Sequence, residues 1–247
     1  MLRVESVVKS FGGFKAVDGA NLHVNAGEIV AVIGPNGAGK TTLFHLLTGH
    51  LSPDSGRILF KGKEIGGLSP HVLCRRGITR SFQVVNIFPR LSVFENVQIA
   101  VLSRERKTFR IFSPVAGMAE EEVHRILRSV GLFDQRDVES DLLSHGDKKV
   151  LEIAVALSGN PELLILDEPT AGMAPEETER CIRLIRKLSG ESGVTILFCE
   201  HDIALVFEIA NRIMVMVRGA TVVQGSGEEV RRNSEVQSAY LGESGGC

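Results

Sequence analysis

Residues 29–41 read Ile29-Val30-Ala31-Val32-Ile33-Gly34-Pro35-Asn36-Gly37-Ala38-Gly39-Lys40-Thr41, and this stretch decides the fold. Its first five residues, apolar and mostly β-branched, have the length and composition of a strand buried on both faces. Gly34 to Gly39 interrupt the run. Lys40 to Leu47 then resume with helical spacing through Leu43, Leu46 and Leu47, and Gly49 and Pro53 end the helix. The pattern G-x-x-x-x-G-K-[ST] between a strand and a helix is a phosphate-binding loop. Glycines let successive backbone N–H groups turn inward around a triphosphate where a Cβ would collide, and the helix N-terminus adds partial positive charge. Gly34, Pro35, Asn36, Gly37, Ala38 and Gly39 are expected to wrap the phosphates. Lys40 would reach the β- and γ-phosphates, Thr41 would ligate Mg²⁺ and Thr42 would bond the α-phosphate.

A second apolar run, Leu163-Leu164-Ile165-Leu166, ends in Asp167-Glu168. A buried strand delivers both acids at its C-terminal edge, where open α/β sheets bind ligands. Asp167 is expected to hold Mg²⁺ through its water shell, and Glu168 to polarise the attacking water as general base. His201 ends the strand-like Val194 to Glu200, from where it would bond the γ-phosphate or that water. Gln83, ending Gly77 to Phe82, would contact Mg²⁺ and report nucleotide state to a partner. His23, His45, His50, His71 and His124 are read as structural.

Leu2 to Val8 and Val17 to Val24 are strand-like, with a turn expected at Asp18-Gly19. From about residue 92 to 157 the pattern turns helical. Glu120 to Val130 places Val123, Ile126, Leu127 and Val130 on one face, and a further helix is expected over Lys148 to Leu157. Strand runs return at Leu163–Leu166, Val194–Phe198 and Ile213–Val217, with an amphipathic helix from Pro175 to Leu188 between the first two, so the sheet is expected to be mainly parallel. Twenty-eight basic residues against thirty acidic ones leave a net charge of −2, which supplies no field for nucleic acid. No run approaches the ~18 apolar residues of a membrane span. The four cysteines, scattered and without a CxxC, read as reduced thiols in a cytosolic setting.

Taken in order, these pieces resemble the ABC ATPase family over residues 2 to 241. Gly34–Thr41 matches its Walker A, Gln83 its Q-loop, Leu143-Ser144-His145-Gly146-Asp147 its signature, Leu163–Glu168 its Walker B, Ala171–Ala174 its D-loop and His201 its switch histidine. The resemblance implies an α/β fold: a P-loop NTPase core with a mainly parallel sheet, an N-terminal antiparallel β-subdomain and an inserted α-helical subdomain. Residues 1–242 would form one ATPase domain, with the insertion at about 92–157 and a flexible tail at 243–247. Phe11 lies where the family carries an aromatic that stacks on adenine, an ordinary core residue being the rival reading. The signature residues Ser144, His145, Gly146 and Asp147 would touch ATP held by a second ATPase subunit.

Several stretches look like the ATPase of branched-chain amino-acid importers: the run from Phe11 to Gly49, Gly77 to Ala100, AGMAPEET at 171–178, CEHD at 199–202 and the ending AYLGE. The lipopolysaccharide-export ATPase shares that ending, and urea importers are close. The importer resemblance implies ATP and Mg²⁺ as cofactors and a second ATPase and integral membrane permease subunits as partners. A solute-binding protein would act indirectly, and the chain would sit at the cytoplasmic face of the inner membrane. Val84, Val85, Ile87 and Phe88 would suit a groove for a partner helix, or simply the core. Arg104 to Phe112 would touch the membrane subunit or headgroups, or form a solvated loop.

Two departures stand out. LSHGD replaces the usual LSGGQ or LSYGQ, putting His145 and Asp147 in the signature, and Ala174 replaces the D-loop Asp or Asn. An acid at the start of the next helix favours that helix, and Lys148 and Lys149 are expected to offset its charge. The expectation is a weakened signature half-site that pairs with a different ATPase subunit.

Overall fold

A computed structural model describes residues 1–81, 87–104 and 119–241. β1 (Leu2–Phe11) and β2 (Phe14–Val24) pair antiparallel through a turn at Gly12-Gly13, whose φ angles of 52° and 87° are the successive positive values a two-residue hairpin needs. The turn is not at Asp18-Gly19. Val7 faces Ala20 and Val8 faces Asp18, so Gly19 is a bulge inside β2.

β3 (Ile29–Ile33) is buried along its whole length, and the phosphate loop leads from it into α1 (Lys40–Leu47). β4 (Ser55–Phe60) adds to β1 and β5 (Lys63–Glu64) to β4, completing a four-stranded antiparallel sheet β2-β1-β4-β5. After α2 (Pro70–Arg75), which has proline in its first turn, comes the short edge strand β6 (Ile78–Arg80).

Three helices then stack: α3 (Val93–Arg104), α4 (Glu120–Val130) and α5 (His145–Leu157). α4 buries Val123, Ile126, Leu127 and Val130 and exposes its charges. Arg104 at the end of α3 donates to both carboxylate oxygens of Glu122 (3.0 and 2.8 Å) and to the Ser158 carbonyl (3.0 Å), tying the three helices at one corner. α5 begins at His145, three residues before the expected start, because the Ser144 hydroxyl accepts from the Asp147 N–H and caps it.

β7 (Leu163–Asp167), α6 (Pro175–Gly190), β8 (Thr195–Cys199), α7 (Ile203–Ile209), β9 (Arg212–Val217), β10 (Ala220–Gly225), α8 (Gly227–Arg232) and α9 (Ser234–Leu241) follow. The second sheet runs β10-β9-β3-β8-β7-β6, parallel except for β10 at its edge. Strand alternation divides the core in two. Val30, Val32, Ile165 and Leu197 pack with α1 and the antiparallel sheet, whereas Ile29, Ala31, Ile33, Leu166 and Phe198 face the helices on the other side. Each large side chain buried this way contributes ~1.5–3 kcal/mol.

Because the five strands run parallel, their C-termini share one edge. Cys199 lies in register with both Val32 and Asp167, so the phosphate loop, the paired acids and the Glu200-His201 turn emerge side by side.

Candidate active site

The phosphate loop is packed too closely for side chains at two positions. A Cβ on Gly34 would sit well inside contact distance of the Met216 carbonyl oxygen, and one on Gly39 would strike that of Ala16. The loop is anchored where Gly219 N–H donates to the Ala38 carbonyl (3.0 Å) and Asp18 N–H to that of Gly219 (2.9 Å). Lys40 folds back over it, its ammonium donating to the carbonyls of Gly34 (2.6 Å) and Pro35 (3.2 Å). Burial pulls the Lys40 pKa below its ordinary value, and Cys199, Glu168 and Asp167 partly offset the effect. Asn36, Gly37 and Thr41 are exposed and Thr42 is half-buried, leaving the outer face of the loop open to a ligand.

Asp167 is held on both oxygens. The Arg80 guanidinium lies against Oδ2, and the Cys199 thiol donates to Oδ1 at 2.8 Å. Burial, then the neighbouring Asp167, push the Cys199 thiol pKa up. Among the described residues no group of three or more His, Cys, Asp or Glu could cage a metal. One buried carboxylate and the Thr41 hydroxyl do fit Mg²⁺, which keeps several waters and takes its other ligands from phosphate oxygens.

Glu168 adopts φ 49°, a left-handed conformation uncommon outside glycine, and its N–H donates to the Cys199 carbonyl (3.0 Å). This turn brings Oε1 to 2.9 Å from His201 Nε2. Next to the pair, buried Glu200 accepts from the Thr170 N–H (2.8 Å) and hydroxyl (2.7 Å) through Oε1, and from the His201 N–H (3.2 Å) through Oε2. One carboxylate therefore ties together the turns carrying Glu168 and His201.

Ser144, His145, Gly146 and Asp147 bond elsewhere. The Ser144 hydroxyl donates to Glu177 Oε1 (2.8 Å) on α6, and His145 Nε2 donates to the Ala171 carbonyl (3.1 Å). Asp147 accepts from Gln135 (3.3 Å) and lies 3.9 Å from Arg180, while Lys148 pairs with Asp141. The charge at Asp147 is thus offset from α6 and not by Lys148. Phe11 is 47% exposed, with the Lys9 ammonium 5.7 Å from its ring centre, so it is not a core residue. Phe88 is exposed and Ile87 packs against the core. Gln83, Val84, Val85, residues 105–112 and the tail 243–247 lie outside the described residues.

Arg80, Glu177, Cys199 and Glu200 are the residues that reading the sequence overlooks. Only Glu177 carries a local signal: three residues after Ala174, it accepts that residue's N–H (3.1 Å) at the start of α6.

Residues 17–171 match the family model described as ABC transporter. The chain is similar to the high-affinity branched-chain amino acid transport ATP-binding protein BraF of Pseudomonas aeruginosa, with 39% identity over 98% of both chains. It is likewise similar to LivG of Escherichia coli K12, described in the same words, with 38% identity over 98% of both. Among solved structures, an ATP-binding cassette of an ABC transporter in its ADP conformation superposes with TM-score 0.87 at 34% identity over 98% of each chain. A nucleotide-free cassette superposes with TM-score 0.86 at 33% identity, covering 97% of this chain and 98% of that one.

Proposed function

Because this chain belongs to the ABC transporter family of ATP-binding subunits, we propose that it powers the import of branched-chain amino acids as one of two paired ATPase chains. That the chain is an ABC-type ATPase follows from the family. The observation that carries the finer reading is the end-to-end likeness to branched-chain amino acid transport ATP-binding proteins, which extends past the 17–171 stretch through β8, β9 and the C-terminal helices.

In this reading residues 1–242 act as one ATPase domain, with the helical insertion at 92–157. Gly34–Gly39 present backbone N–H groups to the triphosphate, and Lys40 exchanges the Gly34 and Pro35 carbonyls for phosphate oxygens. Phe11 stacks on the base from its exposed position. Thr41 and Asp167, with Gln83, would hold Mg²⁺, which when bound neutralises phosphate charge. Glu168 takes a proton from the attacking water while His201 orients its carboxylate from 2.9 Å. Ser144–Asp147 face the nucleotide of the second ATPase.

Among the described residues no helix is long and apolar enough to cross a membrane. On the likeness to transport ATP-binding proteins, the chain would sit peripherally on the cytoplasmic face of the inner membrane, held by permease subunits, with a solute-binding protein on the far side. The test is mass spectrometry of what co-purifies with tagged Glu168→Gln from native membranes in ATP, followed by leucine uptake. Two permease subunits, a second ATPase and uptake that requires this chain are expected. Export-type membrane partners would overturn the importer reading.

A further inference from the structure

Three of the four signature residues, Ser144, His145 and Gly146, are fastened to the loop that begins at Glu168 by one carboxylate and one imidazole. Glu177 Oε1 accepts the Ser144 hydroxyl (2.8 Å) and Oε2 accepts the Ala174 N–H (3.1 Å). The bonds from Ala174 first and Ser144 next hold the Glu177 carboxyl below the usual range, with a smaller contribution from the nearby Gly146 N–H. Gly146 presses so near that a Cβ there would lie 2.6 Å from Glu177 Cδ, so the glycine is what admits the carboxylate. Beside it, His145 Nε2 donates to the Ala171 carbonyl (3.1 Å). The same Ser144 oxygen accepts the Asp147 N–H (3.1 Å) and caps α5, so the hydroxyl proton and the start of the helix are oriented together.

A serine hydroxyl has one proton to give. Here its direction is set by an acid on a different element, at the foot of a loop whose first residue is Glu168. We propose that Glu177 is a positioning residue: it holds Ser144 and Gly146 in place until phosphate oxygens of the second subunit's nucleotide replace its carboxylate as the acceptor of the Ser144 proton, and it links that face to the loop carrying Glu168. The inference rests on the paired-chain reading above. It names a residue that does not itself touch ATP, and it gives His145 a role within its own chain, closing the same joint from the other side.

The test compares Glu177→Ala with Ser144→Ala in the assembled transporter. ATP turnover is measured at saturating ATP, alongside equilibrium binding of a fluorescent ATP analogue to the purified full chain. Misplacement of a reacting constellation by about 1 Å costs up to roughly 100-fold in rate. Glu177→Ala should accordingly lower turnover by about 10- to 100-fold while the chain's own affinity stays within about twofold. A purely structural role would move both together, and parallel loss of affinity and turnover overturns the inference. If Ser144→Ala lowers turnover and Glu177→Ala does not, the inference alone fails. If Ser144→Ala has no effect on turnover, the paired-chain reading fails and takes the inference with it. Should Glu177→Ala not fold, Glu177→Gln keeps the size and one acceptor oxygen. Lowered turnover with retained affinity in that variant supports the proposal, and wild-type turnover overturns it.

Discussion

The guanidinium of Arg80, at the end of β6, lies against the carboxylate of Asp167, at the end of the neighbouring β7, and the two side chains are only 6% and 2% exposed. Arg80 Nε is buried without a partner, so the arginine is held for its charge more than for complete hydrogen bonding. Removing one member of such a pair leaves an uncompensated buried charge, at ~3–5 kcal/mol. Arg80→Met should therefore destabilise the nucleotide-free chain by about that much. Ligands that bind only the folded state add stability, and here the cation would also replace the missing charge. Mg²⁺ and ATP should raise the urea midpoint of Arg80→Met by more than that of wild type. An equal shift in both would show that Arg80 and the metal do not share Asp167.

The thiols of Cys181 and Cys199 offer a second test. Burial, with a lesser push from Glu200, raises the Cys181 pKa to about 12, and burial and then Asp167 raise that of Cys199. A group whose folded pKa is raised contributes stability that is complete below its unfolded pKa, ~8.5 for cysteine, and is lost as pH climbs past it. Stability should fall above pH ~8.5 by up to about 1.4 kcal/mol per pH unit for each thiol. Iodoacetamide at pH 8 should label exposed Cys74 in the native chain, and reach Cys181 and Cys199 only after unfolding. Peptide mass spectrometry reads this directly.

The loop glycines separate two kinds of strain. Gly34→Ala drives a methyl into the Met216 carbonyl, whereas at Gly37, φ 77°, there is open space around the position of a Cβ. Gly37→Ala should cost only the left-handed backbone penalty, ~1–2 kcal/mol. Gly34→Ala should cost at least ~1–3 kcal/mol from overpacking and displace the loop that would hold the phosphates. Calorimetric melting of both, with ATP titration of each, distinguishes them. Equal losses would mean that the approach to Met216 is not what constrains the loop.

His201→Ala removes the ring 2.9 Å from Glu168. General-base contributions are worth ~10²–10⁴-fold, and a residue that orients the base should account for part of that. Turnover in the assembled transporter is expected to drop by at least ~100-fold with ATP affinity retained. A loss of affinity in place of turnover would assign His201 to binding.

What the sequence makes legible is whatever closes over a few positions. The strand into Gly34, the helix from Lys40, the α4 stripe and the Asp167-Glu168 ending each depend on neighbouring residues, and each stands where its pattern put it. The misplacements are also local and have local causes. Gly12-Gly13 outcompetes Asp18-Gly19 for the hairpin turn, and the cap at Ser144 starts α5 three residues early. Arg80 meets Asp167 across 87 positions, and Ser144 meets Glu177 across 33, Cys199 meets Asp167 across 32 and Glu200 meets Thr170 across 30. No spacing rule connects such pairs. The sheet order has to be known before the residues bracing Asp167 and Glu168 can be recognised.

That sheet order also governs how the protein can be made. β3, residues 29–33, lies between β8 and β9, residues 195–199 and 212–217, and the N–H of Ile29 finds its side-chain acceptor on Asn211, 182 positions later. During synthesis the antiparallel strands β1, β2 and β4 can close early, since their partners lie within residues 2–60. The central strand must wait, unpaired and wholly apolar, until almost the entire chain has left the ribosome. Such long-range parallel pairing is slow and exposes aggregation-prone surface, so newborn chains are expected to need shielding of Ile29–Ile33, and refolding from denaturant should be limited by closure of this strand.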